Sequence, residues 1–279
     1  MTADDAGLIS SFVQIPDGLQ VHVCTGGNPQ GREILFIHGF SQCYLSWERQ
    51  FAGKLAEEFR LVAYDLRGHG SSEKPSERKF YVEGERWADE MAAVMNHAGL
   101  KRPLVVAWSY AGRIVADYLQ KFGTSAIAGI NLVGSKTRTR PEFTGPQNPY
   151  HQARMSSDDV AENIDGTIAF LRSCATNWEA AEFERHLAFN MLVPPQVRGH
   201  LLSREFNADA IYGGMGVPLL VTHGTDDQVV PVAAGRHANA VTPGSSLSIY
   251  EGIGHAPFIE AQERFDAELA EFARGALGA

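Results

Sequence analysis

The stretch Pro103-Leu104-Val105-Val106-Ala107-Trp108-Ser109-Tyr110-Ala111-Gly112 decides how this chain is read. Its first half is a continuous apolar run, as in a strand covered on both faces. Its second half sets a serine among small residues, just ahead of a helix-like segment from Arg113 to Phe122. A serine on a tight strand-to-helix turn has its hydroxyl lifted clear of the sheet, with backbone N–H groups of the helix start beside it. That is how a nucleophile is presented. A serine in this position is more often only a helix cap. Chain order favours the nucleophile: a candidate acid stands further along at Asp227, and a candidate base after it at His255.

Outward from this stretch, short apolar runs alternate with helical spacing. Ser11–Ile15 and Leu19–Cys24 read as a hairpin around the turn Pro16-Asp17-Gly18. Ile34–Ile37, Leu61–Tyr64, Pro103–Trp108, Ile127–Val133, Val217–Thr222 and Leu247–Tyr250 read as further strands. Trp47–Phe59, Glu85–His97 and Arg113–Phe122 read as helices. This alternation predicts an α/β fold with a mainly parallel sheet and helices on both faces. The stretch 137–216 breaks the rhythm. It opens with a polar, proline-containing segment and continues as helices over Asp158–Cys174, Trp178–Asn190 and Pro195–Phe206. The expected organisation is a core of residues 1–136 and 217–279, with 137–216 as a helical cap over the carboxyl ends of the strands.

Composition narrows the function. With 279 residues and 44% hydrophobic residues, the chain has material for one large core. A net charge of −9 with no basic cluster argues against nucleic acid and anionic membrane surfaces as partners. Cys24, Cys43 and Cys174 are odd in number and widely spaced, which predicts buried free thiols rather than a disulfide or metal site. Met1–Ser10 has no apolar run of signal-peptide length, and no stretch approaches the roughly 20 apolar residues of a membrane span. A cytoplasmic location is expected.

Four patterns carry the chemistry. His38-Gly39-Phe40 closes one strand, and its glycine lets the chain turn sharply so that the next backbone N–H comes toward a cleft. Asp65-Leu66-Arg67-Gly68-His69-Gly70-Ser71-Ser72 closes another. Ser109 stands on the strand-to-helix turn. Last come His223-Gly224-Thr225-Asp226-Asp227-Gln228-Val229-Val230-Pro231 and Gly252-Ile253-Gly254-His255-Ala256-Pro257. An imidazole both takes and returns a proton near neutral pH, so His255 suits a general base for the Ser109 hydroxyl. The orienting acid is Asp226 or Asp227. The aromatic residues Phe40, Tyr44, Trp47, Trp108, Tyr150, Phe170, Trp178 and Phe189, with Met191, line an apolar pocket in one reading and are plain core in the other.

Together these patterns resemble the α/β-hydrolase family, most of all its cofactor-free esterases and non-haem haloperoxidases. The chain order serine, acid, histidine is that of the family. The resemblance implies Asp227 as the acid, four residues before Pro231, and the backbone N–H groups of Phe40 and Tyr110 as an oxyanion hole. His38 and His69 are read as structural within their turns, and no cofactor or metal is expected. One departure stands out. The family's G-x-S-x-G would put glycine at 107 and 111, where Ala107 and Ala111 stand, so a shifted or tightened turn is expected.

The expected activity is hydrolysis of carboxylic esters, lactones among them, through an acyl-enzyme on a small-molecule substrate. The same residues suit a C–C bond hydrolase or an amidase, with perhydrolysis as a side reaction. A non-catalytic ligand receptor of the same fold is the alternative from another class. Epoxide hydrolases and haloalkane dehalogenases use a carboxylate nucleophile at this turn, which Ser109 disfavours.

Overall fold

The apolar runs assemble into one eight-stranded sheet in the order β1-β2-β4-β3-β5-β6-β7-β8. The computed structural model describes residues 7–278. The N-terminal reading drawn from Met1–Ser10 therefore lies largely outside the described residues. The strands are β1 (Ile9–Gln14), β2 (Gln20–Gly27), β3 (Glu33–Ile37), β4 (Arg60–Tyr64), β5 (Leu104–Trp108), β6 (Gly129–Val133), β7 (Leu219–Gly224) and β8 (Ser246–Tyr250). The first two pairings, β1 with β2 and β2 with β4, are antiparallel, and all the others are parallel. The expected fold class is the observed one.

The two-residue period of the pleat sorts side chains into two cores. Leu35, Ile37, Val62, Tyr64, Val105 and Ala107 face one way. There they meet α4 (Gly84–His97) and α5 (Ala111–Phe122). Ile34, Phe36, Leu61, Ala63, Leu104, Val106 and Trp108 face the other. They meet α1 (Glu48–Ala52), α2 (Leu55–Glu58) and the C-terminal helix α13 (Gln262–Leu277). Every residue of β5 and β6 is buried, which explains why these strands read as unbroken apolar runs rather than alternating ones. All three cysteines are buried and free, as expected.

The helix expected over Trp47–Phe59 is broken. A 3-10 turn over Tyr44–Trp47 leads into α1, and the chain then turns at Gly53 before α2. A Cβ at residue 53 would lie 2.8 Å from the Arg49 carbonyl oxygen, so only glycine permits the turn. Hydrophobic spacing runs straight through this break and hides it. Two short helices flank the core motifs, α3 (Lys79–Val82) and α12 (Pro257–Glu260), and a longer one, α11 (Ala233–Val241), follows β7.

Between β6 and β7 the chain runs through α6 (Asn148–Met155), α7 (Val160–Cys174), α8 (Ala180–Met191), α9 (Pro195–Leu202) and α10 (Asp209–Gly213). The two ends of this insertion are stitched together. Arg138 forms a β-bridge with Asn207, and Asp209 accepts from Thr137 Oγ1 at 2.6 Å and Arg138 Nη1 at 3.1 Å. Helix α8 is tied to the core by Arg49, which holds Glu182 through two hydrogen bonds of 2.9 and 2.8 Å. Among the described residues no helix is long and apolar enough to cross a membrane.

The strand order locates the site before any side chain is considered. Successive connections from β3 run outward on opposite sides, to β4 and then back to β5. Ligands of open α/β sheets bind in the crevice at such a switch point, beyond the carboxyl ends of the strands. The ends of β3 and β5 are His38-Gly39-Phe40 and Ser109.

Candidate active site

Ser109 follows β5 directly and has φ 56°. Left-handed backbone at a non-glycine residue is rare and concentrates at functional sites. Small neighbours let the turn close. Ala107 and Ala111 are fully buried without displacing it, so the expected shift from the missing glycines does not undo the geometry. The tightest approach falls one residue later, at Gly112, where a Cβ would lie 2.1 Å from Ser135 Oγ. Ser135 in turn donates to the Ser109 carbonyl at 2.8 Å.

Ser109 Oγ lies 2.8 Å from His255 Nε2, and His255 Nδ1 lies 2.7 Å from Asp227 Oδ2. The three residues come from the ends of β5, β7 and β8 and meet only in the folded chain. Asp227 Oδ1 accepts from the backbone N–H groups of Val229 and Val230, both at 2.8 Å. Burial alone raises the Asp227 carboxyl, but the His255 and His223 imidazoles outweigh it and hold the group at about 2. The carboxylate is therefore ionised and accepts only, which makes His255 Nδ1 the N–H and leaves the Nε2 lone pair facing Ser109 Oγ. Asp226, the other candidate acid, is exposed and accepts from Thr225 Oγ1 at 3.0 Å. It is Asp227 that faces His255.

Several supports escape sequence reading. Gly134, after β6, has φ 52°, and a Cβ there would lie 2.9 Å from His255 Nδ1, so the glycine makes room for the imidazole. Trp108 Nε1 donates to the His255 carbonyl at 2.9 Å and anchors its loop. His223 donates to the Val230 carbonyl at 2.7 Å and lies 3.2 Å from Asp227 Oδ2, so a second imidazole faces the acid. The only visible signal was the four-residue spacing of His223 and Asp227.

The turn after β3 lies over Ser109. A Cβ on Gly39 would sit 3.1 Å from Ser109 Cβ. Among the described residues neither the Phe40 nor the Tyr110 backbone N–H is committed to a hydrogen bond. Two amides are thus left free, one in the turn after β3 and one directly after Ser109. The turn is braced from below. His38 Nδ1 donates to the Gly39 carbonyl at 2.8 Å while its Nε2 accepts from Leu66 N at 3.0 Å. His69 Nδ1 donates to the Arg67 carbonyl at 2.9 Å while its Nε2 accepts from Ser41 N at 3.1 Å. Both imidazoles are structural, as expected.

These brackets have a pH consequence. Burial pushes His38 down to about 4, and burial with the neighbouring His38 pushes His69 to about 3. His186 in α8 falls to about 3, from burial and then Arg185 and Arg49. All three native values lie below the free value near ~6.5. Above that pH neither state is protonated. Below it the unfolded chain takes the protons first, so stability falls as pH drops through 6.5, with a slope per histidine that rises toward its limit of roughly 1 kcal/mol per pH unit as the unfolded imidazole becomes fully protonated. Urea unfolding at a series of pH values should show this decline between about pH 6.5 and 5. A flat profile across that window would contradict the neutral assignment.

Aromatic residues divide. Phe40 meets Phe170 of α7 edge-on at 5.8 Å, at the junction of core and insertion. Trp47 packs between Phe36 and Phe258 as ordinary core, Tyr44 turns to His22, and Tyr150 is 59% exposed. These three do not line the site.

A second set of the same groups lies at the sheet edge. Ser10 Oγ is 2.8 Å from His22 Nε2, and His22 Nδ1 is 2.9 Å from Asp65 Oδ2. Ser10, however, sits within the regular strand β1 opposite Cys24. It has no left-handed turn and no helix start beside its hydroxyl. The backbone, not the side-chain series, separates it from Ser109.

A sheet of this order with a serine turn after β5 defines an α/β hydrolase. Residues 33–262 match the model of the alpha/beta hydrolase fold family, and the chain belongs to that family. It is similar to the crystal structure of the esterase RhEst1 from Rhodococcus sp. ECU1013, with 32% identity and a TM-score of 0.91 over 96% of this chain and 99% of that one. A Burkholderia cenocepacia protein provisionally assigned as an aryl esterase shows 34% identity and a TM-score of 0.93, over 96% and 99% of the two chains. A non-heme haloperoxidase of Rhodococcus erythropolis is 25% identical over 94% of this chain and 98% of its own. The expected resemblance to esterases and non-haem haloperoxidases thus holds.

Proposed function

We propose that this chain hydrolyses carboxylic esters, lactones among them, with Ser109 as nucleophile, His255 as general base and acid, and Asp227 as the orienting acid. The observation that carries this reading is the unbroken series from Ser109 Oγ through His255 to Asp227, at 2.8 and 2.7 Å, beneath a left-handed serine. Ser109 Oγ attacks the carbonyl carbon while its proton passes to His255 Nε2. The carbonyl oxygen becomes an anion beside the Phe40 and Tyr110 N–H groups. The tetrahedral species collapses, and His255 returns the proton to the leaving alcohol. Water, deprotonated by His255, then attacks the acyl-enzyme, and His255 returns that proton to Ser109 Oγ as the acyl C–O bond breaks and the acid leaves. Hydrogen peroxide in place of water would give a peracid, which accords with the haloperoxidase relative.

A fluorophosphonate tests the reading. Ser109 Oγ should bond phosphorus as fluoride leaves, giving one adduct per chain, with parallel turnover of short-chain nitrophenyl esters. Ser10 should remain unmodified despite its own imidazole and carboxylate. Peptide mapping that finds the adduct elsewhere would move the nucleophile away from Ser109, and ester binding without turnover or adduct would favour the receptor alternative. Lactones and amides assayed beside the esters separate the substrate classes.

A further inference from the structure

Arg198 in α9 stands apart among the buried charges. Its side chain is wholly buried, yet among the described residues no carboxylate pairs with it. Arg67, equally buried, is matched by Glu90 and Asp17, each at 2.6 Å. An unpaired guanidinium in an apolar interior is costly, and its retention needs a reason. Burial lowers its pKa to about 10, so it stays cationic at neutral pH.

Its hydrogen bonds all go to neutral acceptors. Within the insertion, Nη1 donates to the Met155 carbonyl and Asn163 Oδ1, both at 2.9 Å, and to Thr167 Oγ1 at 3.3 Å, while Nη2 donates to the Asn190 carbonyl. One donor crosses to the core, where Nε donates to Ser41 Oγ at 3.0 Å. Ser41 follows Phe40 and has φ 63°. Among the described residues it and Ser109 are the two non-glycine residues with positive φ. Ser41 is thus gripped twice, by His69 at its N–H and by Arg198 at its hydroxyl. Such conformations persist only where the surroundings over-determine them. Ser41 directly follows Phe40, whose N–H is uncommitted, in the turn whose Gly39 packs on Ser109.

We infer that Arg198 is a positioning residue for the oxyanion turn. Reaching down from the insertion, it holds Ser41 left-handed so that the Phe40 N–H stays where the oxyanion forms, and it sets a fixed positive charge behind that turn. The oxyanion site is then complete only with the insertion seated. This rests on Ser109 acting as the nucleophile.

Ser41→Ala, Arg198→Lys and Arg198→Met are compared with wild type on nitrophenyl acetate and on phenylboronic acid. Boron takes the Ser109 oxygen and becomes a tetrahedral anion, which mimics the transition state. Loss of one oxyanion donor costs about 10²–10³ in rate, and a misaimed donor should cost no more than the low end of that range. Expected is a kcat loss of about 10-fold for Ser41→Ala and about 100-fold for Arg198→Met, with Arg198→Lys between them. KM should stay within about 3-fold, and boronate affinity should fall by the same factor as kcat/KM. A purely structural role would lower thermal stability without that parallel. Should Arg198→Met fail to fold, Ser41→Ala decides, since it removes only the acceptor. A kcat within twofold of wild type for Ser41→Ala and Arg198→Lys, or unmoved boronate affinity, overturns the inference. A wild type that neither turns over the ester nor binds the boronate overturns the serine-hydrolase reading and this inference with it, a result distinct from selective loss in the variants.

Discussion

Ser109→Ala should lower kcat/KM for a short-chain nitrophenyl ester by at least about 10⁴-fold, a loss of some ~5.5 kcal/mol of transition-state stabilisation. The covalent route disappears with the oxygen, and His255 loses the hydroxyl it would activate. What survives is binding and the oxyanion amides. Folding should change little. Alanine meets the same backbone cost at φ 56° as serine does, and the hydrogen bond lost to His255 at 2.8 Å is worth about 0.5–1.5 kcal/mol. The checks are steady-state kinetics beside thermal melts of both proteins. Equal rates for variant and wild type would sink the enzyme reading and leave a ligand receptor of this fold.

Asp227→Asn should cost about 10⁴-fold in kcat with the geometry nearly intact. Oδ1 accepts two backbone N–H groups, so an asparagine must keep its carbonyl oxygen there. Its NH₂ then replaces Oδ2, facing His255 Nδ1 and His223 Nε2. Two donors cannot face each other, so His255 must move its proton to Nε2, which then points an N–H at Ser109 instead of a lone pair. The base is lost through the tautomer rather than through displacement. Asp226→Asn is the matched control. Its carboxylate is exposed and engages Thr225, so its rate should stay within about threefold of wild type. A reversal of the two phenotypes would move the acid to residue 226.

Much of this was legible in the sequence, for identifiable reasons. Doubly covered strands such as β5 and β6 are apolar throughout, so they stand out as runs, and chain order places serine, acid and histidine without coordinates. The broken helix at Gly53 was not legible, because apolar spacing continues across it and the break depends on a close approach to the Arg49 carbonyl that only a glycine allows. Helices α6, α10, α11 and α13 escaped as well. Nor could the choice between Asp226 and Asp227 be made from the residues alone. Adjacent carboxylates differ only in which way the loop turns them.

What belongs to the sequence by itself is the local grammar: alternation of strand and helix, a serine among small residues at a strand end, and an imidazole in a glycine-flanked loop. Such features depend on neighbours along the chain, and periodicity and residue size report them. The tertiary structure alone decided which distant groups touch. It brought His223 onto Asp227, opened the space at Gly134 for His255, set Arg198 against Ser41, and gave Ser109 a turn that Ser10 lacks. Those contacts join residues far apart in the chain or depend on how a loop turns, so they exist only once the strand ends are gathered at one edge of the sheet.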